Sequence, residues 1–185
     1  MIEELYKNTR ERMEEALHSL VRDLSSISTG RATPDLLNTV KVESYGSFMP
    51  LTQLTSISVP DSRTLSIQVW DKNSVKSVEK AIIDSNLGLN PMTDGQLIRI
   101  SIPKLSEERR IEMSKLAKKY GEDKKVAIRN IRRDILDDIK KVEKQSSISK
   151  DQIHDFGEKI QEITDGFIKR IDDLVNAKEK DLMSI

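Results

Sequence analysis

Arg129, Arg132 and Arg133 fall at i, i+3 and i+4 of the stretch Lys124-Lys125-Val126-Ala127-Ile128-Arg129-Asn130-Ile131-Arg132-Arg133-Asp134. On a helix this spacing puts three guanidinium groups on one side, while Ala127, Ile128, Ile131 and Ile135 turn toward a packing partner. Like charges at such spacing weaken an isolated helix by tenths of a kcal/mol per pair. An anionic partner is their natural counterpart, and arginine's planar fork suits phosphate oxygens. Arg110, earlier in the same predicted helix, is a further candidate. Taken alone, the window also fits an ordinary solvated helix face.

Other chemistry-bearing residues point away from catalysis. His18 and His154 are the only histidines, lie on different predicted helices and have no second histidine at ligand spacing, so no metal site is expected. The neighbouring carboxylates Asp137-Asp138 and Asp172-Asp173 diverge on a helix and read as solvated surface. The chain has no cysteine, hence no thiolate nucleophile, disulfide or zinc thiolate, in keeping with a reducing compartment. GxSxG, GxxxxGK[ST] and GxGxxG are absent from the sequence, and Thr29-Gly30-Arg31-Ala32 has one glycine and no following lysine, so it is not a phosphate loop. Trp70 closes an alternating strand and is expected to pack at the sheet edge. Arg31 is open to two readings, a hinge residue or a second polyanion contact. The expectation is a non-enzymatic protein with no catalytic residue and no cofactor.

Charge is segregated behind a formal net charge of +0. Residues 1 to 30 carry 4 basic and 6 acidic groups, 31 to 104 carry 8 and 7, 105 to 146 carry 13 and 9, and 147 to 185 carry 6 and 9. Within 109 to 133 there are 10 basic and 3 acidic residues. A basic stripe on a neutral protein suggests a defined polyanion contact and argues against wholesale nucleic-acid condensation. No apolar run approaches the roughly 18 residues of a membrane span, and Met1-Ile2-Glu3-Glu4 is too acidic to open a targeting peptide. A soluble cytoplasmic protein that does not engage membranes is expected.

Three long helices must position the basic face. Met13, Leu17, Leu20, Leu24 and Ile27 step by 4, 3, 4, 3, a heptad seam that Ile2, Tyr6 and Thr9 extend backward; Gly30 and Pro34 are read as its stop. From Val40 to Ile102 the period becomes two, with strands at Val40–Val42, Thr55–Val59, Thr64–Trp70 and Ile98–Ile102 and turns at Gly46, Pro50, Pro60-Asp61, Asn90-Pro91 and Asp94-Gly95. One helix over Ser74–Ser85 interrupts them. The helical period returns behind Ser106, an N-cap followed by Glu107 and Glu108, and runs to about Lys144 with Gly121 as its weak point. Ser149 and Gln152 form a capping box for the last helix, with Ile148 and Ile153 as a staple. Its seam is Phe156, Ile160, Ile163, Phe167, Ile171 and Leu174. A connection of about four residues makes these last two helices antiparallel. The three seams bury one another, so 1–30 and 105–185 form a discontinuous three-helix bundle and 31–104 an inserted β-rich domain. Two crossings, at Gly30-Arg31 and Lys104-Leu105, join them as a hinge. A coiled-coil adaptor with an RNA-binding basic helix is the alternative, but it would need an unpaired apolar face.

Thr29-Gly30-Arg31-Ala32, Pro34, Leu36-Leu37, Tyr45-Gly46, Pro50-Leu51, Asp61-Ser62-Arg63-Thr64-Leu65, Val78-Glu79-Lys80-Ala81-Ile82, Leu87-Gly88-Leu89-Asn90-Pro91, Glu108-Arg109-Arg110 and Val126–Asp134 occur in order along the chain. End to end, it resembles the ribosome recycling factor family. The resemblance implies an α+β fold, a long antiparallel three-helix bundle with a small inserted β/α/β domain, in an L. It implies a bacterial translation factor, acting as a monomer, that binds the large ribosomal subunit and its rRNA after termination. With elongation factor G and GTP, such a factor separates the subunits, and it neither binds nor hydrolyses GTP itself. Ser28 departs from the family, which commonly has arginine there, and removes a charge near the hinge.

Overall fold

In the computed structural model, which describes residues 2–145 and 148–184, the chain divides into two compact units, Met1–Ile27 with Ile111–Ile185, and Ser28–Arg110. Each has its own core. Among the described residues no helix is long and apolar enough to cross a membrane.

The first unit packs three helices, α1 (Ile2–Ser25), the greater part of α3 (Glu107–Gln145) and α4 (Lys150–Met183). The seam of α1 is buried as its spacing requires, with Thr9, Met13, Leu17, Leu20 and Leu24 inside. Thr9 can occupy a core position because its hydroxyl donates to the Leu5 carbonyl at 2.7 Å. Where the spacing predicts a stop at Gly30, α1 ends at Ser25. The Ser25 hydroxyl donates to the Val21 carbonyl and that of Ser26 to the Asp23 carbonyl, so side chains satisfy the last turn before the glycine is reached.

Ion pairs give the helix directions. Arg12 meets Asp134 at 2.8 Å and Lys124 meets Asp23 at 3.3 Å, so α1 and α3 are antiparallel. Lys118 reaches Glu179 and Lys125 reaches Asp172, so α3 and α4 are antiparallel too. Arg170 forks onto both oxygens of Glu14 at 3.0 and 3.1 Å, fixing α4 against α1. The short connection expected between α3 and α4 includes residues 146 and 147, which lie outside the described residues. On its α4 side, Ser149 and Gln152 form the expected capping box.

The second unit holds the hairpin β1 (Lys41–Ser44) and β2 (Ser47–Pro50), strands β3 (Thr55–Asp61) and β4 (Thr64–Val69), helix α2 (Val75–Asp84), and strands β5 (Pro91–Asp94) and β6 (Leu97–Ser101). β3, β4, β6 and β5 lie side by side in that order, every pairing antiparallel. Leu65, Ile67 and Val69 of β4 and Ile98 and Ile100 of β6 fill the core with Val78 and Ile82 of α2, as the period of two predicts. β2 and β5 carry no such alternation, being mostly exposed on both faces, and the sequence pattern misses them. Pro60, read as a turn, lies within β3, an edge strand whose register shifts between Ser58 and Asp61. An edge position leaves its missing N–H without a ladder bond to lose. Trp70, expected to pack at the sheet edge, is 62% exposed.

Candidate nucleic-acid interface

α3 presents the basic residues. Ser106 starts it as expected, its hydroxyl accepting from the Arg109 N–H at 3.1 Å. Ala117, Ile128, Ile131, Ile135 and Ile139 are buried and fix its rotation about its own axis. Opposite that seam, Lys115, Lys119, Glu122, Val126, Arg129 and Arg133 step by 4, 3, 4, 3, 4 and are all exposed, forming one stripe about 27 Å long.

The cations of this run divide into two groups by what surrounds them. Lys124 is spent on α1, donating to the Ser19 hydroxyl at 2.8 Å and pairing with Asp23. Lys125 is held by Asp172 and by Glu122, the latter at 3.0 Å, and its side chain is only 16% exposed. The Asp172 carboxylate first, then Glu122, raises its pKa above that of an ordinary lysine. Lys118 pairs with Glu179 at 3.1 Å, and Arg109 has an interaction of its own within the protein. By contrast, the side chains of Arg110, Arg129, Arg132, Arg133, Lys115 and Lys119 take part in no ion pair or hydrogen bond among the described residues. Asp134, next to Arg133 in sequence, is committed to Arg12 at 2.8 Å.

Arg129 and Arg133 stand fully in the exposed stripe, and Arg132 is half-buried beside it. Arg132 follows Lys118 and Lys125 at successive intervals of seven, so all three share one face of α3. The two lysines find carboxylates on α4, and Arg132 finds none among the described residues. Arg110 is half-buried on the first turns of α3, in the second unit. The four side chains can thus offer charge-assisted hydrogen bonds to phosphate without first breaking an internal pair. The charge tally of the sequence overstates this face, because it cannot see which lysines α1 and α4 neutralise.

Gly30, Arg31, Lys104 and Leu105 all lie in the second unit. Gly30 has φ +76°, and a Cβ there would lie 3.4 Å from the Leu105 side chain. The chain on either side of these residues is tied to the β3–β4 turn. The Ala32 N–H donates to the Ser62 carbonyl at 2.8 Å, and the Ile102 N–H to the Arg63 carbonyl at 2.7 Å. The Arg63 guanidinium returns a bond to the Ile102 carbonyl.

His154, Asp155 and Glu158 bring ligand atoms within 4.8 Å of one another. All three are exposed, near the start of α4, where the positive end of the helix opposes a cation.

The family model for ribosome recycling factor matches residues 20–183. A ribosome-recycling factor of Rickettsia peacockii (strain Rustic) is 52% identical over 183 residues, 99% of this chain and 98% of that protein. One of Rickettsia bellii (strain OSU 85-389) is 50% identical over 98% of this chain and 97% of its own. Among solved structures, the solution structure of a ribosome recycling factor matches with TM-score 0.83 and 39% identity, covering 100% of this chain and 98% of that one. The T. thermophilus ribosome recycling factor, described with the E. coli elongation factor G bound to the E. coli post-termination complex, matches with TM-score 0.69 and 44% identity over 100% of both chains.

Proposed function

The chain belongs to the ribosome recycling factor family, and from that premise we propose that it binds the post-termination ribosome and, with elongation factor G and GTP, separates the subunits for reuse. Arg110, Arg129, Arg132 and Arg133 contact large-subunit ribosomal RNA. The observation that carries this reading is the division of charge on α3, where lysines next to the arginines are neutralised internally and the arginines are not. Leaving several cations unpaired on one helix face repels and weakens that helix, a cost that an RNA backbone offsets when it binds. The protein acts as a monomer in the cytoplasm, by binding and not by bond-making chemistry, and the energy of the cycle comes from GTP on the elongation factor.

The joints take part as well. α3 is helical from Glu107 onward and Ala32 and Ile102 are tied to the β3–β4 turn, which supports the residues at 28–31 and 103–106 as the segments that bend. Gly30, Arg31, Lys104 and Leu105 form this hinge.

Cosedimentation with purified large subunits, followed by a subunit-splitting assay with elongation factor G and GTP, tests the proposal. R132A, and more strongly R129A/R132A, should weaken binding and lower the salt slope by roughly one unit per lost contact. Failure of the wild-type protein to split ribosomes under conditions where an established factor does so would sink the assignment.

A further inference from the structure

The exposed stripe of α3 continues past the arginines toward its N-terminal end. Lys115 and Lys119 lie on the same line of the helix as Arg129 and Arg133, with about 15 Å of rod between Lys119 and Arg129. Beside Lys115, the groove between α3 and α4 opens into a hollow of about 430 Å³, lined by Ile111, Lys115, Lys118, Lys180 and Met183 around one carboxylate, Glu179. That carboxylate is already engaged, accepting from Ser114 at 2.9 Å and pairing with Lys118 at 3.1 Å. Lys115, Lys119 and Lys180 are exposed and have no ion-pair partner among the described residues. Ile111 and Met183 leave 43% and 53% of their surfaces in solvent on the rim.

Building on the proposed contact with ribosomal RNA, we infer that Lys115, Lys119 and Lys180 form a second phosphate contact at the α3–α4 groove, so that RNA follows α3 over two cationic patches. Between the patches the stripe carries Val126 and Glu122, and Glu122 shares Lys125 with Asp172, so the one carboxylate on this line of the helix is paired, while Asp123 lies exposed beside it. Charge chooses the occupant: lysines around a saturated carboxylate attract a polyanion, and the stripe is continuous with the arginines. Ammonium groups bind phosphate as point charges without reading a sequence, and the exposed Ile111 and Met183 can lie against sugar or base faces.

The test compares the full-length wild type, R129A/R132A, K115A/K119A/K180A and K150A/K159A/K169A. The last removes equal charge from three other exposed lysines of α4. Binding is measured against salt on large subunits and on protein-free large-subunit RNA, with circular dichroism checking each fold. The lysine variant should bind both targets at least about tenfold more weakly, with a salt slope lower by roughly two to three units, and the α4 variant should match the wild type. A lysine variant that binds like wild type while R129A/R132A is weakened overturns this inference and leaves the arginine contact standing. If both bind like wild type, the arginine contact itself fails. Weakening on subunits alone would assign the patch to an acidic ribosomal protein, and equal weakening by the α4 variant would reduce it to net charge. Either result overturns the inference.

Discussion

Lys125 and Arg132 share a face of α3 and differ in what α4 sets opposite them, which separates stability from binding at single positions. Replacing Lys125 with alanine removes the cation shared by Asp172 and Glu122. K125A should destabilise the protein by about 1 kcal/mol, the upper range for partly exposed pairs, and leave RNA affinity near wild type. R132A should do the reverse, with stability unchanged within about 0.5 kcal/mol. Denaturant melts and subunit binding measured on the same preparations check the pair, and a crossover in the wrong direction would contradict the division of charge. Glu14 offers a pH test. The hydrogen bond from Arg170, with its charge, holds the Glu14 carboxyl below the usual carboxylate range. A carboxyl depressed in the folded state favours folding above its unfolded pKa, and that contribution is lost as pH falls through the folded value. E14Q should therefore lower stability near neutrality and flatten its loss on acidification. An unchanged acid limb in urea titrations between about pH 6 and 3 would count against the fork.

Among the helices, Gly121 shows how an element's apparent flaw serves its packing. Helix propensity makes it a weak point, disfavoured relative to alanine by roughly 1 kcal/mol. It is buried, and a Cβ there would stand 2.6 Å from Cγ2 of Val175 on α4, so the glycine sets how closely the two rods approach. Val175 is β-branched and stiff in a helix, so the clash is not relieved by a simple rotation. G121A should lower stability by about 1–2 kcal/mol despite the better propensity, or roughly 4–8 °C per kcal/mol for a unit of about 100 residues. V175A should partly rescue it. A thermal double-mutant cycle that proves additive would remove the close contact from the account. On α4, Phe156, Ile160, Phe167 and Ile171 of the expected seam are buried, and Ile163 and Leu174 are half-buried. Thr164 and Val175 are buried where Ile163 and Leu174 were expected, and the Thr164 hydroxyl stays satisfied on the Ile160 carbonyl at 2.7 Å.

For the whole molecule, the proposed hinge makes two predictions. Amides of Ala32 and Ile102, bonded at 2.8 and 2.7 Å to the β3–β4 turn, should be protected in hydrogen exchange, and those of Lys104 and Leu105 should exchange much faster. R63A removes the guanidinium bond to the Ile102 carbonyl and should narrow that difference. Relaxation measurements should give the two units distinguishable correlation times, whereas a single rigid rotor would exclude flexing on that timescale. Slower splitting with preserved subunit binding, in a variant cross-linked across the joints, would tie the motion to recycling.

The sequence by itself determined what depends on neighbours along the chain. Heptad steps placed α1, α3 and α4, a period of two placed β3, β4 and β6, and Ser106 with the Ser149–Gln152 box marked two helix starts, because helical and strand geometries repeat over a few residues. The arginine triad on one side of α3 was legible for the same reason. Only tertiary structure decided which cations are free. Whether Lys124 or Arg132 has a carboxylate beside it depends on residues more than 30 positions away, Asp23 in one case and the facing surface of α4 in the other, and no local period encodes that meeting. Edge strands β2 and β5 escaped the pattern because neither of their faces is consistently buried. The role of Gly121 escaped it because a missing Cβ reads as weakness until Val175 is seen 2.6 Å from where that atom would be; interiors packed as densely as crystals make such a fit a property of two surfaces and not of one helix.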